Sequence, residues 1–329
     1  MKYLIGAYAT APSLALDDIG LEREFYDQLI QSIPDIRGFE IPFLGEEIHK
    51  FGTEFFLKLV RPEWDHVLTC IPGSVKGLEK NPNFGLASNN TVGRMDAVKM
   101  HKRANQMARE INMHSGRPSI LAVHIATAPS VPVDGVTSSV DSLLLSLNEI
   151  LSWDWMGARV VIEHCDSYVK GRPFEKGFMS LDDELLALKS LSDNFRAGLA
   201  INWARSAIEG RNPATVINHI KLARKNNLLS GFFFSGVSDR GGDYGNWKDS
   251  HMPFEKSCGI EHYQPNSLLT ESNIRETLET IKLEELDYIG IKLLSMPIDS
   301  SSISRRVGVN RDAIAVLNHA RCDTSCQDT

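Results

Sequence analysis

Short apolar, β-branched runs alternate with stretches of helical periodicity along the whole chain, and this alternation constrains the fold more than any other feature. Strand-like runs are expected at residues 3–8, 36–41, 65–71, 119–125, 159–165, 197–203, 231–236 and 288–293. Helices are expected at 17–32, 51–59, 91–113, 138–153, 181–195, from Pro213 onward, 271–281 and 310–319. The strand runs are mostly continuous rather than alternating in hydrophobicity, which is the pattern of strands buried on both faces of a parallel sheet.

Eight strand-then-helix units in 329 residues predict an α/β fold of the (β/α)8 TIM-barrel type over 1–320, with a polar C-terminal tail over 321–329. The rival is an open doubly wound sheet. It is disfavoured because Ala9-Thr10-Ala11-Pro12 stands after the first run, where a dinucleotide-binding sheet has a glycine-rich phosphate turn.

A net charge of −7 and a pI near 5.8 argue against a nucleic-acid partner, which calls for a basic face. A small-molecule substrate fits better, and a homo-oligomer is compatible with the composition. There is no apolar run long enough to cross a membrane and no charged-then-apolar leader pattern, so no membrane partner and a cytoplasmic location are expected. Five cysteines, odd in number and mostly isolated, suit reduced thiols. Cys322 and Cys326 have no histidine at ligand spacing and are read as part of the tail.

In a parallel barrel the chemistry lies where strands run into their C-terminal loops. Val160 to Asp166 is the strongest such stretch, an apolar strand that ends by delivering Glu163, His164 and Asp166. The other strand ends bring Glu40, Thr69 with Cys70, His124, Asn202 with Arg205, Ser235 and Lys292, and the long loop after the seventh strand adds Asp249 and His251. Each has a structural reading beside the functional one. Glu163 could pair with Arg205 or Lys292, Glu40 could be ion-paired, His124 could be a hydrogen-bonded core histidine, and Asp249 and His251 could sit in a solvated turn. Lys292, flanked by Ile291 and Leu293, needs a partner or a role, because an ammonium in an apolar strand is costly.

These motifs resemble the xylose isomerase-like barrel superfamily, which includes sugar epimerases, sugar isomerases and apurinic endonucleases. Gly38-Phe39-Glu40-Ile41 resembles its second strand, Ala122-Val123-His124 its fourth and Val161-Ile162-Glu163 its fifth, which carries a metal-binding carboxylate. The segment from Ile201 through Arg205 to Gly210 resembles the sixth-strand region, and Asp249-Ser250-His251 resembles an Asp-x-His pair that binds metal in the endonuclease branch.

The resemblance implies metal ligands of the order glutamate, aspartate, histidine, glutamate on strands five to eight. This chain offers Glu163, Asn202, Ser235 and Lys292 instead. An ammonium about 4 Å from a dication costs roughly 8 kcal/mol at an effective dielectric near 20. The usual ligand set is therefore incomplete, although a displaced divalent-metal site using Glu163, Asp249 and His251, with His124, stays open.

The resemblance implies a sugar or polyol isomerase or epimerase that moves a proton next to a carbonyl. Glu163 would be the base and His124 or His251 the acid, with Lys292 and Arg205 supplying positive charge. Glu40, Asn202, Ser235, Trp203 and Trp247 would bind substrate, the tryptophans, with Tyr244, by stacking on a sugar ring. The alternative is a non-catalytic carbohydrate-binding or regulatory barrel that has lost its metal. An endonuclease is disfavoured, since it would need a nearly complete multi-metal set and a basic groove.

Overall fold

The computed structural model describes residues 2–192 and 194–325. Its strands are β1 (Tyr3–Ile5), β2 (Ile36–Pro42), β3 (His66–Thr69), β4 (Ile120–Ile125), β5 (Arg159–His164), β6 (Ala197–Asn202), β7 (Leu229–Phe234) and β8 (Tyr288–Ile291). They form a closed barrel in sequence order, β1 through β8, and each strand pair with a defined register is parallel. The helices are α1 (Ile19–Ser32), α2 (Thr53–Leu57), α3 (Ile71–Lys80), α4 (Thr91–Ser115), α5 (Val140–Leu151), α6 (Leu181–Lys189), α7 (Trp203–Gly210), α8 (Ala214–Lys225), α9 (Glu271–Ile281) and α10 (Ile303–Ser325). Among the described residues, no helix is long and apolar enough to cross a membrane.

Local chemistry fixes the helix starts. Asp18, Asn90, Ser139, Ser180 and Thr270 each accept a backbone N–H of the first turn of α1, α4, α5, α6 and α9. These side-chain oxygens satisfy donors that have no intrahelical partner.

Several boundaries differ from the sequence expectation. The first run is a strand only as far as Ile5, because the chain turns at Gly6 into a short 3-10 segment, Ala7–Ala9. The third run is a strand only as far as Thr69, and Ile71 to Gly73 lie inside α3, where a proline in the first turn costs no hydrogen bond. Trp203 opens the short helix α7 instead of ending a strand, because Asn202 caps it. The last helix begins at Ile303, ahead of the expected 310, and reaches Ser325. It takes in the start of the stretch read as a tail; Cys326 and the residues beyond it lie outside the described residues.

The chain divides into two compact units. The first contains Met1–Glu40, Asn202–Leu222 and Gly231–Thr329, and the second Ile41–Ile201 and Ala223–Ser230. In the first, Phe232, Phe233 and Phe234 are all fully buried, as a strand covered on both faces requires. A Cβ on Gly290 would stand 2.5 Å from the Phe233 ring and 2.7 Å from the Leu4 carbonyl oxygen, so only glycine lets β8 lie there. Buried Arg306 donates to the carbonyls of Thr10, Ala11, Ile298 and Ser301, tying α10 to the segments that follow β1 and β8. In the second unit, β4 and β5 pair His124 with Val161, and β5 and β6 pair Glu163 with Ala200.

Candidate functional site

Lys292 is the first residue beyond β8, and its backbone N–H still donates to the Phe234 carbonyl at 2.9 Å. That bond fixes the direction of the side chain. Its Nζ lies 2.7 Å from Glu40 Oε1 on β2, and both side chains are completely closed to solvent. The ammonium also stands 5.8 Å from the Tyr8 ring centre and 5.6 Å from that of Phe233, close enough for cation–π attraction. Space around the pair is tight, since a Cβ on Gly6 would come within 2.9 Å of Glu40 Oε2 and 3.0 Å of Lys292 Cγ.

A second group in the same unit centres on Asp249. Its Oδ2 is 3.2 Å from Arg205 Nε, and its Oδ1 is 3.5 Å from His251 Nδ1. The same His251 nitrogen lies 2.8 Å from Ser235 Oγ. A serine–histidine–acid relay needs the serine and the acid on opposite ring nitrogens, so this cluster is not one. Asn202 caps α7 by accepting from the Arg205 N–H and thereby orients the arginine.

In the second unit, His124 Nδ1 and Glu163 Oε2 are 3.3 Å apart with neither side chain exposed. Strand alternation sends the next residue to the opposite face. There His164 Nδ1 meets Glu184 Oε2 at 2.7 Å, and the Thr127 hydroxyl donates to Glu184 Oε1 at 2.6 Å. Asp166 accepts the backbone N–H groups of Glu175 and Lys176 at 2.7 and 3.0 Å, which pins the loop after β5.

Two expected stacking residues are packing residues here. Trp203 is 1% exposed, and its indole N–H donates to Thr277 on α9 at 3.1 Å. Tyr244 is buried with its hydroxyl on the Leu294 carbonyl, and burial pushes its phenol pKa up to about 12. Trp247 is partly exposed and stands 5.5 Å below the Arg211 guanidinium. Sequence reasoning also passed over the Thr127–Glu184–His164 set. Glu184 falls in the acidic first turn of α6, where a carboxylate is expected to face water, and only tertiary packing turns it inward.

At the strand ends, side chains with metal-ligand chemistry include Glu40 in the first unit and His124 and Glu163 in the second. Glu40 already bears on the Lys292 ammonium, and a dication about 4 Å from that charge would be repelled by roughly 8 kcal/mol at an effective dielectric of 20. Asp249 likewise carries a guanidinium on its carboxylate. With Lys292 and Arg205 charged, Glu40 and Asp249 do not fit a divalent metal ion.

The closed ring of eight strands with polar groups at its strand ends defines a TIM barrel, and its fold is similar to that of xylose isomerase-like proteins. Two solved structures share this fold across nearly their whole length: D-psicose 3-epimerase crystallised in the presence of D-fructose, and a xylose isomerase domain protein from Alicyclobacillus acidocaldarius. The first superposes with a TM-score of 0.57 at 11% identity, covering 97% of this chain and 99% of that one. The second superposes with a TM-score of 0.54 at 13% identity, covering 98% and 99%. Residues 4–309 match the family described as Domain of unknown function (DUF4862), and the chain belongs to that family. A relative from Salmonella typhimurium, described as Uncharacterized protein STM3670, is 35% identical over 318 residues, which is 97% of each chain.

Proposed function

We propose that this protein is an isomerase or epimerase of a sugar or polyol, moving a proton next to a carbonyl at the C-terminal rim of its barrel. The observation that carries the reading is the buried pair of Glu163 and His124 at the ends of β5 and β4. A carboxylate kept from water beside an imidazole is the chemistry of a general base with a proton carrier at hand. Similarity in fold to an epimerase and to a xylose isomerase domain protein supports the same class.

In this reading Glu163 takes the C–H proton beside the carbonyl, and the bonding electrons move onto the carbonyl oxygen. The ammonium of Lys292 and the guanidinium of Arg205 supply the positive charge that the enediolate oxygen needs, work done by a metal in metal-dependent reactions of this type. His124 or His251 moves the proton of the adjacent hydroxyl. Return of the first proton to the neighbouring carbon gives isomerisation, and return to the other face of the same carbon gives epimerisation. Glu40, Asn202, Ser235 and Trp247 hold the substrate.

The test is to incubate the purified protein with a panel of sugars and polyols in heavy water and follow C–H signals by NMR. Deuterium should enter at a carbon next to a carbonyl, and Glu163→Gln should slow the exchange by about 10²–10⁴-fold. Binding of a sugar without exchange at any position would replace this reading with that of a carbohydrate-binding protein.

A further inference from the structure

Beyond β4 and β5 the second unit holds an open cavity of about 350 Å³ that none of the groups above occupies. Its wall comes from the loop between β4 and α5 and from the loop between β5 and α6. The polar part is made of Ser138, Ser139, Ser167, Ser180 and the Asp183 carboxylate, and Tyr168 supplies an aromatic face.

The aromatic face is not a core residue that happens to reach the surface. Tyr168 is 42% exposed, and Phe174, 36% exposed, stands edge-on to it with ring centres 6.0 Å apart. Val131 and Val133, on the opposing loop, are 40% and 41% exposed. Large apolar side chains left in water beside a hydroxyl-lined hollow form an amphipathic wall, with one surface for the C–H face of a ring and another for its hydroxyls.

The hollow is preformed. The Val131 N–H donates to the Gly177 carbonyl at 3.0 Å, the Ser130 hydroxyl donates to the Lys176 carbonyl, and Asp166 holds the backbone of Glu175 and Lys176 from below. Ser139 and Ser180 are committed to capping α5 and α6. The Ser180 hydroxyl donates to Asp183 Oδ2 at 2.8 Å, which sets the carboxylate in place along one wall.

Charge decides the class of ligand. Among the lining residues there is no lysine or arginine, and the charged one is Asp183. The first turns of α5 and α6 carry Asp141, Asp182, Asp183 and Glu184, so the helix N-termini are already neutralised and a phosphate would meet repulsion. A carboxylate able to accept from sugar hydroxyls, with an aromatic ring alongside, suits an uncharged sugar.

We propose that this cavity is a binding subsite for an uncharged sugar ring, the distal ring of a glycoside whose other end is presented to Glu163. Ser167 lies four residues past Glu163, and four residues span at most about 14 Å, the length of two or three sugar units. The second half of the proposal rests on the isomerase or epimerase reading. The first half does not.

The test measures binding of the full-length protein to maltose, cellobiose, lactose, trehalose and sucrose, beside glucose and glucose 6-phosphate, by calorimetry or saturation-transfer NMR. At least one disaccharide should bind. Tyr168→Ala and Asp183→Asn should each weaken it by about tenfold, Tyr168→Trp should retain it, and glucose 6-phosphate should not compete. Binding that survives both Tyr168→Ala and Asp183→Asn, or no binding of any disaccharide, overturns the subsite. In the exchange assay, Tyr168→Ala should raise KM for the glycoside. Disaccharide binding lost in these variants but with no exchange leaves the subsite standing and removes the catalytic reading. Exchange with monosaccharides in a protein that binds no disaccharide does the reverse.

Discussion

The Lys292 ammonium sits 2.7 Å from the Glu40 carboxylate, with both side chains shut off from water at the ends of β8 and β2. A charge taken out of water is tolerable only while its partner is present. Removing one partner of a buried pair typically costs about 3–5 kcal/mol, whereas removing both can be neutral. Glu40→Gln and Lys292→Met should therefore each lower the urea unfolding free energy by that amount, and the double variant should recover most of it. Single variants within about 1 kcal/mol of the parent would mean that water reaches the pair.

Gly6 shapes the same pair from the side. Its φ of −77° is open to any residue, so an alanine there meets no backbone strain. The introduced methyl would instead press on Glu40 Oε2 at 2.9 Å and on Lys292 Cγ at 3.0 Å. Overpacking of this kind costs about 1–3 kcal/mol. Gly6→Ala should lose that much stability and should also slow the exchange reaction, by displacing the ammonium while leaving every charge in place. Unchanged kinetics in a destabilised Gly6→Ala protein would separate the pair from the chemistry.

Acid sensitivity should have an identifiable source in α4. Burial lowers the His101 imidazole pKa from 6.5 to about 4, only partly offset by the hydrogen bond from its Nδ1–H to the Ala97 carbonyl at 2.8 Å. Between these two values the unfolded chain binds a proton that the folded chain refuses. Stability is therefore full above pH 6.5 and falls as the pH drops toward 4. The loss attributable to this one group at pH 5 is about 2 kcal/mol. Urea midpoints measured at pH 7 and pH 5 should diverge in the parent protein and converge in His101→Met; equal pH dependence in the two would assign the effect elsewhere.

Much of the barrel was legible because its strands are continuous apolar runs, and such runs have few other uses. Where the reading slipped, the cause was local. Gly6 ends β1 early, and Pro72 and Gly73 resemble a turn yet sit in the first turn of α3, where proline is harmless. The candidate site was legible as a set of residues at strand ends, but not as pairs. Lys292 was read as needing a partner or a role, and its partner within the first unit is Glu40, about 250 positions away in sequence, which no periodicity links to it. Trp203 looked like a sugar platform because aromatic residues near strand ends serve both purposes; its indole N–H found Thr277, and that settles it as core. The exposure of Tyr168 beside serine hydroxyls depends on two loops meeting, which no single segment announces.

The charge at position 292 should also decide how the protein treats divalent ions. As the chain stands, Lys292 neutralises Glu40 and repels any dication nearby. Lys292→Glu reverses the sign: two carboxylates would then face each other in a dry site with no cation between them. Like charges so placed hold a proton or attract a metal, and oxygen ligands suit a hard dication. Mn2+ binding followed by equilibrium dialysis should therefore be weak in the parent and at least about tenfold tighter in Lys292→Glu, with a matching rise in the thermal midpoint when the ion is added. One tightly held equivalent of metal in the purified parent protein, retained through dialysis against a chelator, would sink the argument that the ammonium stands in the ion's place.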